Sequence, residues 1–256
     1  MRDNNWNDED DKLNQAILFA VEKHRGQKRK GTDYPYIVHP LEVLSILAAM
    51  KMNKDVLIAG MLHDVVEDTD TSLSEIKILF GDHVANLVAG HTDDKTLSWQ
   101  ERKEEALDEL CVAPYEVKCL TLADKLSNMR AIARDYKAVG DEVWKKFTAS
   151  KEKQAWYYKG GIEALVELIG HPGTEPFFWE LNELYKEVFV QYYYDGSAHT
   201  LWEKEVGNDV IRSYNGYSPE WEEYKEGQMG LPEAAKPISV KTAERIEANW
   251  EEEMDK

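Results

Sequence analysis

The chain has 256 residues, of which 43% are hydrophobic, and this is enough to bury the core of one large domain or two modest ones. The formal net charge of -18 argues against nucleic acid or an anionic membrane as a partner, because both require a basic protein face. The sequence has no long apolar run and no signal-peptide pattern at its N-terminus, so we expect a globular protein of the cytoplasm. In so acidic a protein, an anionic ligand would require a local basic cluster or a bound cation.

The N-terminal region combines an amphipathic helix with a basic loop. Residues 1–11 are strongly acidic and are expected to be flexible, and apolar residues at three- and four-residue spacing then predict a helix that ends near Gly26. The next loop carries a basic triplet at 28–30 and ends with His39 before Pro40, which suits the first turn of a helix. An isolated basic triplet is usually a solvated surface turn, but this one leads to a histidine held at a helix entrance.

The stretch 62–69 reads Leu-His-Asp-Val-Val-Glu-Asp-Thr and follows an apolar run at 56–61 that predicts a buried helix. If this helix continues through Asp68, His63 lies over Glu67 and Asp64 lies over Asp68, since residues four apart share a face. Burying these ionisable groups is costly unless each has a partner, and a metal ion with its water satisfies a histidine and several carboxylates together. The alternative, an exposed acidic helix end, is disfavoured by the apolar residues on both sides of the stretch.

The rest of the chain is predicted to be helical. Two capping boxes begin helices at Ser72 and Ser98, and a polar loop at 91–96 lies between them. Pro114 opens a helix on which Asp124 and Asn128 share a face, and further helices are predicted over 150–169 and 177–194. No convincing period-two series is present, so the predicted fold class is all-α.

The final segment, 196–256, is acidic and is predicted to be a helical C-terminal extension of unknown role. Its last apolar stripe comprises Val240, Ala243, Ile246, Trp250 and Met254. We favour packing of this stripe on its own domain over a contact with a second copy of the chain or another partner.

Four side chains together point to a metal centre. His39, His63, Asp64 and Asp124 supply two imidazoles and two carboxylates, a mixed donor set that suits one Mn²⁺, Fe²⁺ or Zn²⁺ with positions left for water. The metal would lower the pKa of a bound water and neutralise charge on a phosphoryl oxygen, while Glu67 or Asp68 positions or deprotonates that water. Taken singly, each ligand candidate has an ordinary structural explanation.

Five blocks in order resemble the HD-type hydrolase domain of RelA/SpoT enzymes and, more narrowly, the stand-alone small alarmone hydrolases. They are His24-x-Gly26-Gln27-x-Arg29-Lys30, Pro35-Tyr36-Ile37-x-His39-Pro40-Leu41, Leu62 to Thr69, Phe80-Gly81, and Ala123-Asp124-Lys125-x-x-Asn128. The resemblance implies an all-helical HD bundle over 12–195, with Mn²⁺ as cofactor. It also implies hydrolysis of the 3′-pyrophosphate of guanosine tetra- or pentaphosphate to GDP or GTP and pyrophosphate.

The resemblance also implies residue roles. The metal ligands would be His39, His63, Asp64 and Asp124; the catalytic acids Glu67 and Asp68; and the substrate contacts Arg29, Lys30, Lys95 and Asn128. Animal members of the family use an Arg and a Tyr from a later helix to hold the substrate. This chain has neither at matching places, and Lys151 or Lys153 is the expected substitute.

Two other functions are compatible with the same residues. The same site could cleave a phosphate from another 2′- or 3′-phosphorylated nucleotide such as NADPH, because a metal, two acids and a basic loop do not by themselves identify guanine. Alternatively, the chain could be a non-catalytic nucleotide- or partner-binding module with the acidic tail as its surface. The complete ligand set and acid pair disfavour the second alternative.

Overall fold

The computed structural model describes residues 9–91, 96–215, 220–225 and 231–254. The α-helices in these ranges are α1 (Glu9–Lys23), α2 (Val38–Ala49), α3 (Lys54–Leu62), α4 (Val65–Asp68), α5 (Leu73–Phe80), α6 (Asp82–Ala89), α7 (Trp99–Val112), α8 (Tyr115–Val139), α9 (Lys151–Ala164), α10 (Glu175–Phe189) and α11 (Val240–Met254). Short 3₁₀ helices span Gly140–Lys146 and Val166–Leu168. The strands are β1 (Val190–Asp195), β2 (Thr200–Glu205), β3 (Val210–Asn215), β4 (Glu222–Lys225) and β5 (Lys236–Ile238). Among the helices within these ranges, none is both long and apolar enough to cross a membrane.

The chain divides into two compact units. The first comprises residues 1–131 and 160–181, and the second comprises 132–159 and 182–256. All of the predicted metal and acid residues lie in the first unit. The division expected from the sequence, with boundaries after residues 11 and 195, stays a prediction.

The core of the first unit includes α2 and α3. Residues 58–62 of α3 are all buried, as expected for a helix that is apolar on every side, so the predicted buried helix is confirmed. Gly60 allows α2 to approach closely, because a Cβ at this position would clash with the side chain of Leu47. This close packing brings the start of α2 near the end of α3.

The apolar helix does not continue unbroken through Asp68, so the condition for the four-residue stacking is not met. Helix α3 ends at Leu62, and α4 begins at Val65 with Asp64 as its N-cap. The Nδ1 atom of His63 lies 2.8 Å from the backbone carbonyl oxygen of Gly60, the group that an uninterrupted helix would pair with the N–H of Asp64. The ring of His63 therefore competes with the helix ladder at the break.

The all-α fold class is also corrected, because the second unit contains a five-stranded antiparallel sheet with strand order β4-β3-β2-β1-β5. In its register, Tyr193 pairs with Trp202, and Leu201 pairs with Tyr214. The helix predicted up to residue 194 ends at Phe189, since the Val-Gln-Tyr-Tyr-Tyr-Asp segment that follows forms β1. Aromatic and β-branched residues favour such a half-buried pleated surface.

Among the described residues of the predicted helical extension, only α11 is a helix. Helix α11 packs on the sheet, where Val240, Ala243 and Trp250 join a buried cluster with Tyr192, Leu201 and Tyr214. The apolar stripe thus packs within the chain, which was the preferred alternative. A homo-oligomer formed through the C-terminal helices stays a prediction.

Candidate metal centre

Four predicted ligands converge from α2, the α3–α4 turn and α8. The Nε2 atoms of His39 and His63 are 3.3 Å apart, and they lie 3.1 Å and 3.7 Å from Oδ1 of Asp124. Oδ2 of Asp64 lies 3.5 Å from Nε2 of His39 and 2.9 Å from Nε2 of His63. Ligands bound at about 2.1 Å from one ion are roughly 3–3.4 Å apart, so these distances fit the edges of a coordination polyhedron.

Three of these residues, His39, His63 and Asp124, have ligand atoms that all lie within 4.8 Å of one another. Asp64 lies outside this three-residue group but contacts both imidazoles. Both histidines are almost completely buried. The donor set is therefore compact, contains nitrogen and oxygen, and fits a divalent cation.

Hydrogen bonds orient both imidazoles toward the centre. Nδ1 of His39 lies 2.9 Å from Oγ of Ser127, whose hydroxyl donates to Glu42, so Oγ accepts a hydrogen bond from Nδ1–H of the ring. Nδ1 of His63 donates to the Gly60 carbonyl, which can only accept. Both Nε2 atoms then present lone pairs to the centre, as metal-binding histidines do.

The electrostatics of the centre favour positive charge. Burial opposes ionisation, but the charge and hydrogen bond of His63, with the charge of His39, hold the pKa of Asp64 below its usual range. Burial also opposes protonation of His63, yet the Asp64 and Asp124 carboxylates raise the pKa of His63 to about 9. The pKa of His39 is lowered, chiefly by burial. Buried carboxylates that attract a proton this strongly also attract a cation.

Two of the predicted substrate contacts lie beside Asp124. Arg29 donates to Oδ1 of Asn128 at 2.7 Å, and Nδ2 of Asn128 donates to Oδ1 of Asp124 at 2.6 Å. The loop is held by backbone hydrogen bonds from Arg29 to the carbonyl of Tyr34 and from Tyr36 to the carbonyl of Gln27. Lys30 is exposed next to Arg29.

The predicted acid pair lies on α4, within the turn that follows Asp64. Glu67 is half-buried and Asp68 is exposed. The backbone N–H of Asp68 donates to the carbonyl of Asp64 at 2.9 Å, and its own carbonyl accepts from Gln27. The Asp68 carboxylate is close enough to contribute to the raised pKa of Tyr36.

The other predicted substrate contacts are three lysines. Lys95 lies outside the described ranges. Lys151, in the second unit, donates to Asp141 at 2.7 Å, and its Nζ lies 4.9 Å from the ring centroid of Tyr136. Lys153 is exposed on the same helix. The substrate roles of these three lysines stay predictions.

Sequence reasoning did not assign two side chains that border the centre. The Tyr36 hydroxyl donates to Asp64, and burial together with that carboxylate raises the pKa of Tyr36 far above its ordinary value. The ring of His91 lies 5.3 Å from the ring of His63, and its Nε2 lies 3.5 Å from Oδ2 of Asp124. Tyr36 was visible in the second block of the motif, whereas His91 was visible only as a histidine opening a polar loop.

Comparisons with known proteins agree with this architecture. Residues 16–153, more than half of the chain, match the family model described as HD domain. The guanosine-3′,5′-bis(diphosphate) 3′-pyrophosphohydrolase MESH1 of Xenopus tropicalis is 40% identical over 159 residues, which cover 61% of this chain and 84% of that protein. The fold and site thus define an HD-domain protein. The chain belongs to the HD-domain family and, within it, to the family of MESH1- and SpoT-type hydrolases.

Solved structures extend the comparison. The crystal structure of lmo0812 from Listeria monocytogenes EGD-e matches with a TM-score of 0.53 and 39% identity, covering 58% of this chain and 96% of that one. A second structure, described as a metazoan ortholog of SpoT that hydrolyzes ppGpp, matches with a TM-score of 0.56 and 32% identity, covering 68% of this chain and 94% of that one. The resemblance to RelA/SpoT-type hydrolases is confirmed.

Proposed function

We propose that the chain hydrolyses guanosine 3′,5′-bis(diphosphate) or its pentaphosphate, releasing the 3′-pyrophosphate and leaving GDP or GTP. The observation that carries this proposal is the convergence of His39, His63, Asp64 and Asp124 in a chain whose relatives bear the name of that hydrolase. The proposal assigns the reaction to residues 12–195 and leaves 196–256 as an extension. The proposed partner is a small nucleotide, whose negative charge the metal and the basic loop would offset, whereas the net charge of -18 argues against nucleic acid.

The proposed cofactor is one Mn²⁺ held by the same four residues. Two carboxylates and two neutral imidazoles suit this ion, and Fe²⁺ or Zn²⁺ remains compatible with the donor set. When bound, the cation would supply Lewis acidity, lowering the pKa of a water and neutralising charge on the phosphoryl oxygens. Hydrogen bonds from His39 to Ser127 and from His63 to Gly60 support ligation by keeping both Nε2 atoms available.

Glu67 and Asp68 are proposed to hold the attacking water and to accept its proton. The water oxygen bonds to the phosphorus that carries the ribose 3′-oxygen, the bond between that phosphorus and the 3′-oxygen breaks, and the 3′-oxygen receives a proton. The short α4 places this acid pair one turn beyond Asp64. General base catalysis of this kind contributes roughly 10²–10⁴-fold to the rate.

Arg29, Lys30 and Asn128 are proposed to hold the substrate. The planar guanidinium of Arg29 suits two oxygens of one phosphate, and Asn128 can turn its amide from Arg29 toward the ribose. Lys95 is proposed as a further phosphate contact from the family resemblance, and Lys151 or Lys153 as a substitute for the Arg and Tyr that the chain lacks. Their positive charge would offset the carboxylates and the substrate phosphates.

The direct test is incubation of the purified chain with Mn²⁺ and guanosine tetraphosphate, with pyrophosphate and GDP quantified. We expect both products in equal amounts, and none after the metal is removed with a chelator. NADPH is assayed in parallel at the same concentrations. Faster release of phosphate from NADPH than of pyrophosphate from guanosine tetraphosphate would make NADPH the preferred substrate. No hydrolysis of either nucleotide by the Mn²⁺-bound chain would refute the enzymatic proposal.

A further inference from the structure

His91 borders the metal centre without belonging to the predicted ligand set. It follows the C-terminal end of α6, where its backbone N–H donates to the carbonyl of Val88 at 3.0 Å. Its side chain is only 14% exposed, and its ring meets that of His63 edge-on, at 72°. The His39 and His63 rings are related in nearly the same way, with centroids 5.1 Å apart at 73°. His91 therefore extends a row of buried imidazoles.

The two oxygens of Asp124 have different neighbours. Oδ1 faces Nε2 of His39 at 3.1 Å and accepts a hydrogen bond from Asn128. Oδ2 faces Nε2 of His91 at 3.5 Å. A carboxylate with a neighbour at each oxygen cannot rotate freely. The contact of Oδ2 with His91 therefore helps to keep Oδ1 directed at the centre.

We propose that His91 is a positioning residue for the metal centre, whose Nε2–H holds Oδ2 of Asp124 and thereby directs Oδ1 toward the cation. The inference rests on the proposed metal site but not on the proposed substrate. His91 acts here through Asp124 and not as a ligand, because it contacts Oδ2 whereas His39 contacts Oδ1. Its ring also packs against His63 and limits the movement of that imidazole.

Groups that hydrogen-bond to metal ligands typically change metal affinity or activity by 10–100-fold when they are removed. We therefore expect His91→Ala to weaken Mn²⁺ binding by about 10–100-fold. His91→Gln retains an N–H donor of similar reach and should recover most of that loss. His83→Ala is the matched control, since His83 is half-exposed and pairs with Asp55 and Glu116 rather than with a predicted ligand.

The experiment titrates Mn²⁺ into the metal-free full chain and measures free Mn²⁺ by electron paramagnetic resonance. The expected order of affinity is wild type equal to His83→Ala, then His91→Gln, then His91→Ala. Circular dichroism and the melting temperature of each variant show that it is folded. Unchanged affinity in His91→Ala would overturn the proposal, and so would His91→Gln binding no more tightly than His91→Ala.

A spectroscopic measurement separates positioning from direct ligation. Electron spin-echo envelope modulation of bound Mn²⁺ reports the nitrogen nuclei of ligating imidazoles. Positioning predicts the same imidazole signals in wild type and in metal-saturated His91→Gln, and loss of one signal would show that His91 is a ligand. Because these measurements need no nucleotide, they stand whether or not guanosine tetraphosphate is the substrate.

Discussion

The metal centre and the aromatic cluster of the sheet are both buried, but they bury side chains of opposite chemistry. Around His63 and Asp124 the buried groups are ionisable, and the carboxylates raise the pKa of His63, so they favour a positive charge among them. Around Tyr214 and Trp250 the buried groups are rings that pack on one another, 5.8 Å apart and nearly parallel. Burial of ionisable groups lowers stability unless they have partners, whereas burial of rings raises it. Substitutions in the first region should therefore change chemistry, and substitutions in the second should change folding.

Asp64→Ala tests the first half of this comparison with the largest expected effect. It removes a carboxylate that contacts both imidazoles, so we expect loss of both Mn²⁺ binding and pyrophosphate release. Metal analysis of the purified variant and the product assay measure the two quantities. Retention of one Mn²⁺ per chain would contradict the assignment of Asp64 as a ligand.

Glu67→Ala should separate metal binding from turnover. Glu67 lies on α4 beyond the ligands, so the variant should keep Mn²⁺ and lose about 10²–10⁴-fold in kcat as the proposed general base is removed. The same metal analysis and assay apply, with Asp64→Ala as the reference. Equal loss of metal in the two variants would show that the roles assigned to Glu67 and Asp64 are wrong.

Trp250→Ala tests the aromatic region. Trp250 is 5% exposed and contacts Tyr214 and His199, so its truncation should lower the free energy of unfolding by about 3–5 kcal/mol. Urea unfolding measures this loss, and Trp179→Ala, at a 44% exposed tryptophan, is the control for the substitution itself. Mn²⁺ affinity of the folded variant should match that of the wild type. A parallel loss of Mn²⁺ affinity in the folded variant would break the comparison.

The same contrast explains what could be predicted from the sequence. The ligand candidates could be found because His39, His63-Asp64 and Asp124 are chemically distinctive residues set in apolar or helical surroundings. The end of α3 could not be predicted, because it depends on a side-chain contact between His63 and the Gly60 carbonyl. His91 was missed for a related reason: a single histidine before a polar loop carries no spacing signal, and its neighbour Asp124 is distant in sequence.

The sheet was missed because its pattern is non-local. Strand β1 contains three consecutive tyrosines, which a helix or a strand accommodates equally well by composition. Its structure is decided by pairing with β2 and with β5, some forty residues further on. Helix α11 was found because its three- and four-residue apolar spacing is local.

Glu205→Gln probes an ion pair with Lys159 at the end of β2 and should have the smallest effect. Burial raises the pKa of Glu205, but hydrogen bonds from Lys159, Tyr185 and Asn208 lower it by more than burial raises it. The pKa of Glu205 therefore lies below its ordinary value of 4.5. A carboxyl group whose pKa is lowered in the folded state stabilises the fold at pH values above its unfolded-state pKa of 4.5. That stabilisation is lost as the pH falls through the folded-state pKa. The wild type should be more stable than Glu205→Gln by roughly 1 kcal/mol at pH 7, and the difference should shrink between pH 5 and pH 3. Urea unfolding across this range measures the difference, and a difference that stays constant with pH would show that the charge of Glu205 is not what stabilises the contact.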